Sequence, residues 1–143
     1  MNEIFNHAVK LLAARDYSIV RLKQKLAAKF GEVPEEVIAQ LLAKRFLNDR
    51  RFASEYVRRR RKVGITRLRE ELGAQGIDRE LLEEILGATD WPSLRTALAA
   101  RMADWKMQPP LNSRKAARLF RALARLGYEE DAIREEIEQL HEQ

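Results

Sequence analysis

Most of the side-chain pairings that carry catalysis are missing from this sequence. Its histidines are His7 and His141, at opposite ends, and it has no cysteine. Two distant imidazoles without a thiolate make no zinc site, and each reads as a solvated helix residue. The carboxylate pairs Glu70-Glu71, Glu83-Glu84 and Glu135-Glu136 are sequence neighbours, so on helices they point apart and read as solvated faces. Ser18, Ser54, Ser93 and Ser113 have no base beside them, and Gly64, Gly73 and Gly76 follow no strand that could build a phosphate loop. Neither an enzyme nor a cofactor is expected. The chemistry the residues do offer is anion binding. From Lys44 to Arg69 there are eleven Lys or Arg, opposed in the central stretch by Asp49 and Glu55, and Arg58 to Lys62 run without interruption. Like charges packed this densely repel one another and call for an anionic partner. The aromatic residues form no platform for stacked bases. Any nucleic-acid contact should therefore be to the backbone, salt-sensitive and sequence-blind.

The element that must carry the cations is a helix. Asp49 or Asn48 supplies a cap oxygen for its first free N–H groups. Phe52, Ala53, Tyr56 and Val57 recur at helical spacing as its apolar face. Arg60 lies in line with Phe52 and Tyr56, so its stem should pack along that face. Gly64 is placed to stop the helix, and cations in the last turn suit the negative end of the helix dipole.

Similar punctuation divides the rest of the chain. Residues 3–15 predict a first helix with Ile4, Phe5, Ala8, Val9, Leu11 and Leu12 facing inward. Ser18 caps a second that carries Leu22, Leu26, Ala27 and Phe30 and ends at Gly31. Pro34 suits the first turn of a third, with Val37, Ile38, Leu41 and Leu42 inward. Phe46 also reads as packing. Thr66 reads as a cap for the helix bearing Leu68 and Leu72, and Asp78 for the helix bearing Leu81, Leu82, Ile85 and Leu86. Leu94, Leu98, Met102 and Trp105 mark the next helix, ended by Gln108-Pro109-Pro110. Asn112 or Ser113 caps a helix with Ala116, Leu119, Phe120 and Leu123, and after Gly127 comes a last one with Tyr128, Ala132, Ile133, Ile137 and Leu140. Trp91 and Trp105 read mainly as core.

An internal repeat ties these segments together. Two leucines four apart, a glycine break and paired apolar residues recur at LKQKLAAKFGEVPEEVIAQLL, LREELGAQGIDRELLEEIL and LFRALARLGYEEDAIREEI. A repeat of three helices this long signals a stacked array, because one unit alone cannot bury its apolar face. The expected fold is all-α: three tandem three-helix repeats, at 1–45, 46–88 and 89–143, forming an elongated, curved helical array. With 45% hydrophobic and 34% charged residues the chain suits a charged, core-forming protein. It has no long apolar run, so a cytoplasmic location is expected; the expected assembly state is a monomer. Residues 1–75 hold 17 basic and 9 acidic side chains, a net of +8, and residues 76–143 hold 10 and 13, a net of −3. The first half is the one expected to meet an anion.

At AVKLLAARDYSIVRLKQKL, FLNDRRFASEYVRRRRKVGITRLREELGAQGID and LFRALARLGYEEDAIREEI the chain resembles the RecX regulators of the RecA recombinase. The likeness runs over nearly the whole length, and its most specific part is the central Arg-Phe-Ala helix with its Arg-rich end. Where that family often has two glycines and a proline after the Arg run, this chain has Lys62, Gly64 and Ile65. The resemblance implies a non-enzymatic regulator that binds RecA and its DNA filament. Such a protein suppresses strand exchange, ATP hydrolysis and co-protease action in recombination, DNA repair and the SOS response. By motif it assigns RecA or DNA binding to Arg58, Arg59, Arg61, Lys62, Arg67 and Arg69. The alternative is a stand-alone, sequence-nonspecific DNA-binding helical protein.

Overall fold

A computed structural model of the chain describes residues 2–141. The side chains of Asn2 and His141 fall outside the described set, and with them the expectation that His141 is solvated. Nine α-helices follow one another, with no strand among the described residues: α1 (Asn2–Ala14), α2 (Ile19–Phe30), α3 (Glu35–Ala43), α4 (Asp49–Arg60), α5 (Ile65–Ala74), α6 (Arg79–Ala88), α7 (Leu94–Asp104), α8 (Ser113–Arg125) and α9 (Glu130–His141), with a 3-10 turn at Arg61–Val63 between α4 and α5. The expected all-α class and its succession of three-helix sets are therefore present.

The repeat is visible residue by residue. Its leucine pairs, Leu22/Leu26, Leu68/Leu72 and Leu119/Leu123, are all fully buried. Its glycines, Gly31, Gly76 and Gly127, all have positive φ (79°, 81° and 101°). That conformation costs an L-residue the clash that glycine avoids, so each copy turns at its glycine.

The chain forms two compact units. One comprises the chain up to Arg60 with Arg69–Ala88, and the other comprises Arg61–Leu68 with the chain from Thr89 on. In the first unit α1 packs on α2 and α3, and α4 packs on α6. Ala8, Leu22, Leu26, Val37, Ile38, Leu41 and Leu47 form one continuous core there. In the second unit α8 packs on α7 and α9, around Leu98, Met102, Met107, Leu111, Leu119, Leu123, Ile133 and Ile137. Gly64 (φ 89°) lets the backbone before α5 pass so close to Leu126 that a Cβ would sit 2.5 Å from the Leu126 carbonyl oxygen. Tyr128 donates its hydroxyl to the Pro92 carbonyl (2.7 Å) in the same unit.

Several caps differ from expectation. Of the two candidates for α4, Asn48 is the cap: its Oδ1 accepts the Arg51 N–H (3.1 Å). Asp49 instead reaches across the unit and accepts the Ile19 N–H (2.8 Å), one of the orphan donors that open α2. Ser18 accepts the Arg21 N–H (3.2 Å) as expected, and its hydroxyl also donates to the Gln75 carbonyl (2.7 Å), which satisfies a fully buried polar side chain. Asp78 and Asn112 cap α6 and α8 as expected. Pro34 is the residue before the first turn of α3 rather than in it, and Thr66 lies inside the first turn of α5, which starts at Ile65. Leu42 and Phe46 are exposed (41% and 39%). Leu42 follows Leu41 by one residue and so turns away from the face that Leu41 buries. Phe46 lies beyond α3, edge-on to Phe5. His7 is half-buried rather than solvated, its ring edge-on to Phe30 at 5.5 Å.

Asp49 carries a pH prediction. Burial, outweighing the bond it accepts from Ile19, holds its carboxyl above the ordinary value of 3.8, with Asp16 adding to the effect. A raised folded-state value means that the folded protein binds this proton more tightly than the unfolded chain does. The contribution to stability is then fully present below pH 3.8 and is lost as pH rises through the raised value. Asp49→Asn keeps an acceptor for Ile19 and removes the charge. It is expected to match or exceed the parent's stability at pH 7, with the gap closing toward acid, in denaturant melts at both pH values. Asp49→Ala, which strips the acceptor, is expected to lose about 1 kcal/mol. An Asn variant clearly weaker at pH 7 would mean that the carboxylate's charge at the start of α2 outweighs its burial.

Candidate nucleic-acid interface

The cationic run begins on α4, where the spacing that buries Phe52, Ala53 and Val57 leaves Arg58 and Arg59 outward. Their side chains are 68% and 73% exposed. Both share one acid. Arg58 donates to Glu55 at 2.8 Å, and Arg59 stands 4.0 Å from it. The Arg58 hydrogen bond holds the Glu55 carboxyl below its ordinary value. Two cations on one carboxylate leave a net positive charge at this helix end, and exposed pairs of this kind exchange readily for another anion.

Arg60 behaves as its alignment predicts. Its guanidinium lies 5.8 Å over the Tyr56 ring and pairs with Glu71 at 2.7 Å. Glu71 also accepts the Tyr56 hydroxyl at 3.0 Å, so Arg60 is a strut between α4 and α5. Arg69, one of the expected binding residues, is held in the same way: its Nε donates to Glu83 at 2.6 Å, joining α5 to α6. A bidentate Arg–carboxylate pair is the strong form of this contact, which makes Arg69 less available to a partner than Arg58 or Arg59.

The other expected residues belong to the second unit. Arg61 donates to the Asp90 carbonyl at 3.4 Å. Lys62 and Arg67 line a cleft of about 390 Å³ together with Arg101, Trp105, Arg118, Arg121 and Arg125. The structure thus brings Lys62 and Arg67 together, keeps Arg58 and Arg59 on the end of α4, and ties Arg69 to α6. It adds four arginines from the chain's second half that sequence reasoning did not assign. The signal was present. From Lys106 to Tyr128 there are six Lys or Arg and no Asp or Glu. Summing over residues 76–143 cancelled that run against the acids that precede α7 and those of α9.

Among the described residues no group of His, Asp or Glu is placed to hold a metal, and no helix is long and apolar enough to cross a membrane.

Comparison with known proteins matches the part that holds α4, α5 and most of α6. The family model for the second three-helix domain of RecX matches residues 48–86. The regulatory protein RecX of Leptothrix cholodnii is 35% identical over 135 residues, covering 90% of this chain and 83% of that protein. The regulatory protein RecX of Chromohalobacter salexigens is 37% identical over 134 residues, covering 89% and 86%. That of Thermus thermophilus is 40% identical over 87 residues, covering 59% and 61%. With cation-bearing helix, repeat and near full-length similarity in agreement, this chain belongs to the RecX family of regulatory proteins.

Proposed function

We propose that this protein is a cytoplasmic, non-enzymatic regulator that binds the RecA recombinase on its DNA filament and inhibits its recombinase, ATPase and co-protease activities. In this reading three helical repeats (1–45, 46–88 and 89–143) make up a monomeric binding array. Arg58, Arg59, Arg61 and Lys62, with Arg67, meet DNA phosphate or an acidic RecA surface, while Arg69 acts chiefly as the brace to Glu83. The observation that carries the reading is the exposed, acid-poor end of α4, inside the segment that matches a RecX domain.

The test is RecA's DNA-dependent ATP hydrolysis with and without this protein across a salt series. Inhibition at substoichiometric amounts that eases as salt rises is expected, because each exposed cation–phosphate contact is screened by salt. Full ATPase activity at excess regulator, with salt-dependent binding to bare DNA, would instead make this a stand-alone DNA-binding helical protein.

A further inference from the structure

In the second unit, α8 has two faces that the sequence pattern separates cleanly. Ala116, Leu119 and Leu123 are buried in the core. Arg114, Arg118, Arg121 and Arg125, spaced four, three and four residues apart, share the other face. Three of these line the 390 Å³ cleft with Lys62, Arg67 and Arg101, and no acid lines it. Among the described residues no ion pair engages Arg101, Arg118, Arg121 or Arg125. Trp105 is in contact with two of them. The Arg118 guanidinium lies 3.9 Å from its ring centroid and that of Arg101 5.2 Å. A guanidinium stacked on a ring keeps its in-plane N–H groups directed outward, and the stack fixes its orientation before any ligand arrives. Trp105 is therefore a holder for two phosphate forks rather than a surface for bases.

We infer that the cleft between the Arg61–Val63 turn, α7 and α8 is a nucleic-acid backbone site, in which Arg118, Arg121 and Arg125, with Arg101, Lys62 and Arg67 around them, bind consecutive DNA phosphates without reading bases. The spacing suits the phosphates of a nucleic-acid strand. From Arg118 to Arg125 the helix rises roughly 10 Å. One strand of duplex DNA presents a phosphate about every 3.4 Å of axis, hence about three over that length. The inference rests on the proposed reading for DNA as the anion and for Lys62 and Arg67, and does not depend on RecA. Its test contains no RecA, so the two can fail separately.

The experiment is fluorescence anisotropy of the full chain with a labelled duplex oligonucleotide of arbitrary sequence, titrated across a salt series. Arg118→Gln/Arg121→Gln/Arg125→Gln is expected to weaken binding roughly 10- to 100-fold at moderate salt. The slope of log affinity against log salt should become shallower by nearly three, about 0.9 for each phosphate contact removed. Arg114→Gln/Lys115→Gln removes two charges from the same helix outside the cleft lining and is expected to change both far less. Circular dichroism of each variant should match the parent, since all five positions are exposed, and melting should fall only slightly in the triple variant, through the lost contact of Arg118 with Trp105. An unchanged affinity and slope in the triple variant would overturn the inference, as would equal effects in the two variants, which would reduce it to net charge.

Discussion

Leu72→Ala is expected to lower the stability of the first unit by about 2–5 kcal/mol. Leu72 is fully buried on α5, and its carbonyl accepts the N–H groups of both Gln75 and Ile77 (3.2 Å each) where the chain turns toward α6. Truncation removes the transfer free energy of the lost carbons and leaves a cavity that helices held at both ends cannot close. The turn itself is fixed by the positive φ of Gly76, whose missing Cβ makes room for Val20, 2.6 Å from where a Cβ would stand. The surroundings therefore have little freedom to collapse onto the void. Leu42→Ala is the informative partner. The residue type and the helix setting are alike, yet with 41% of its surface exposed it should lose roughly 0.5 kcal/mol or less. Denaturant unfolding followed by circular dichroism gives both numbers, and equal losses would contradict the burial that separates the two leucines.

That contrast also marks how far the sequence can be read. The leucine pairs and glycines at Leu22 and Leu26 with Gly31, Leu68 and Leu72 with Gly76, and Leu119 and Leu123 with Gly127 have a local physical cause. Helical spacing sets the buried face and glycine takes the positive φ, so their roles are legible without a structure. Adjacent apolar residues at the end of a stripe are harder. Leu41 and Leu42 have the same hydropathy, and only the rotation of α3 against α1 decides which of them is covered. Caps were legible as a choice of residue but not of partner. Nothing local says that Asn48 takes the Arg51 N–H while Asp49 reaches thirty residues back to Ile19. The binding residues divide in the same way. Exposure of Arg58 and Arg59 follows from the face their own helix buries. The fixing of Arg69 by Glu83, and the gathering of Arg118, Arg121 and Arg125 beside Lys62, depend on helix packing. A charge sum over half a chain cannot show such placement.

Charge reversal at Arg58, Arg59 and Arg61 to Glu is expected to weaken binding to DNA-loaded RecA by at least 10- to 100-fold at moderate salt, while leaving the fold intact. Arg58 and Arg59 project from the last turn of α4, away from Phe52, Ala53 and Val57, so their replacement opens no cavity. Arg61 makes a 3.4 Å contact to the Asp90 carbonyl, near the long limit for a hydrogen bond, and little structure depends on it. The reversal removes three positive charges and also places new carboxylates beside Glu55, which in the parent is shared by Arg58 and Arg59. The end of α4 changes from a cation-rich surface into an acid cluster facing an anion, and the loss should exceed that of simple truncation. Arg60→Glu is the counter-example. It breaks the strut to Glu71 and the contact over Tyr56, so it should loosen the fold as well as binding, and a melting curve separates the two effects. Co-sedimentation with filaments across salt concentrations provides the binding readout. If the triple reversal binds filaments as the parent does while its circular dichroism is unchanged, the end of α4 is a solvated helix terminus. The binding of this chain would then have to come from elsewhere, and the cationic face of α8 would be the next surface to test.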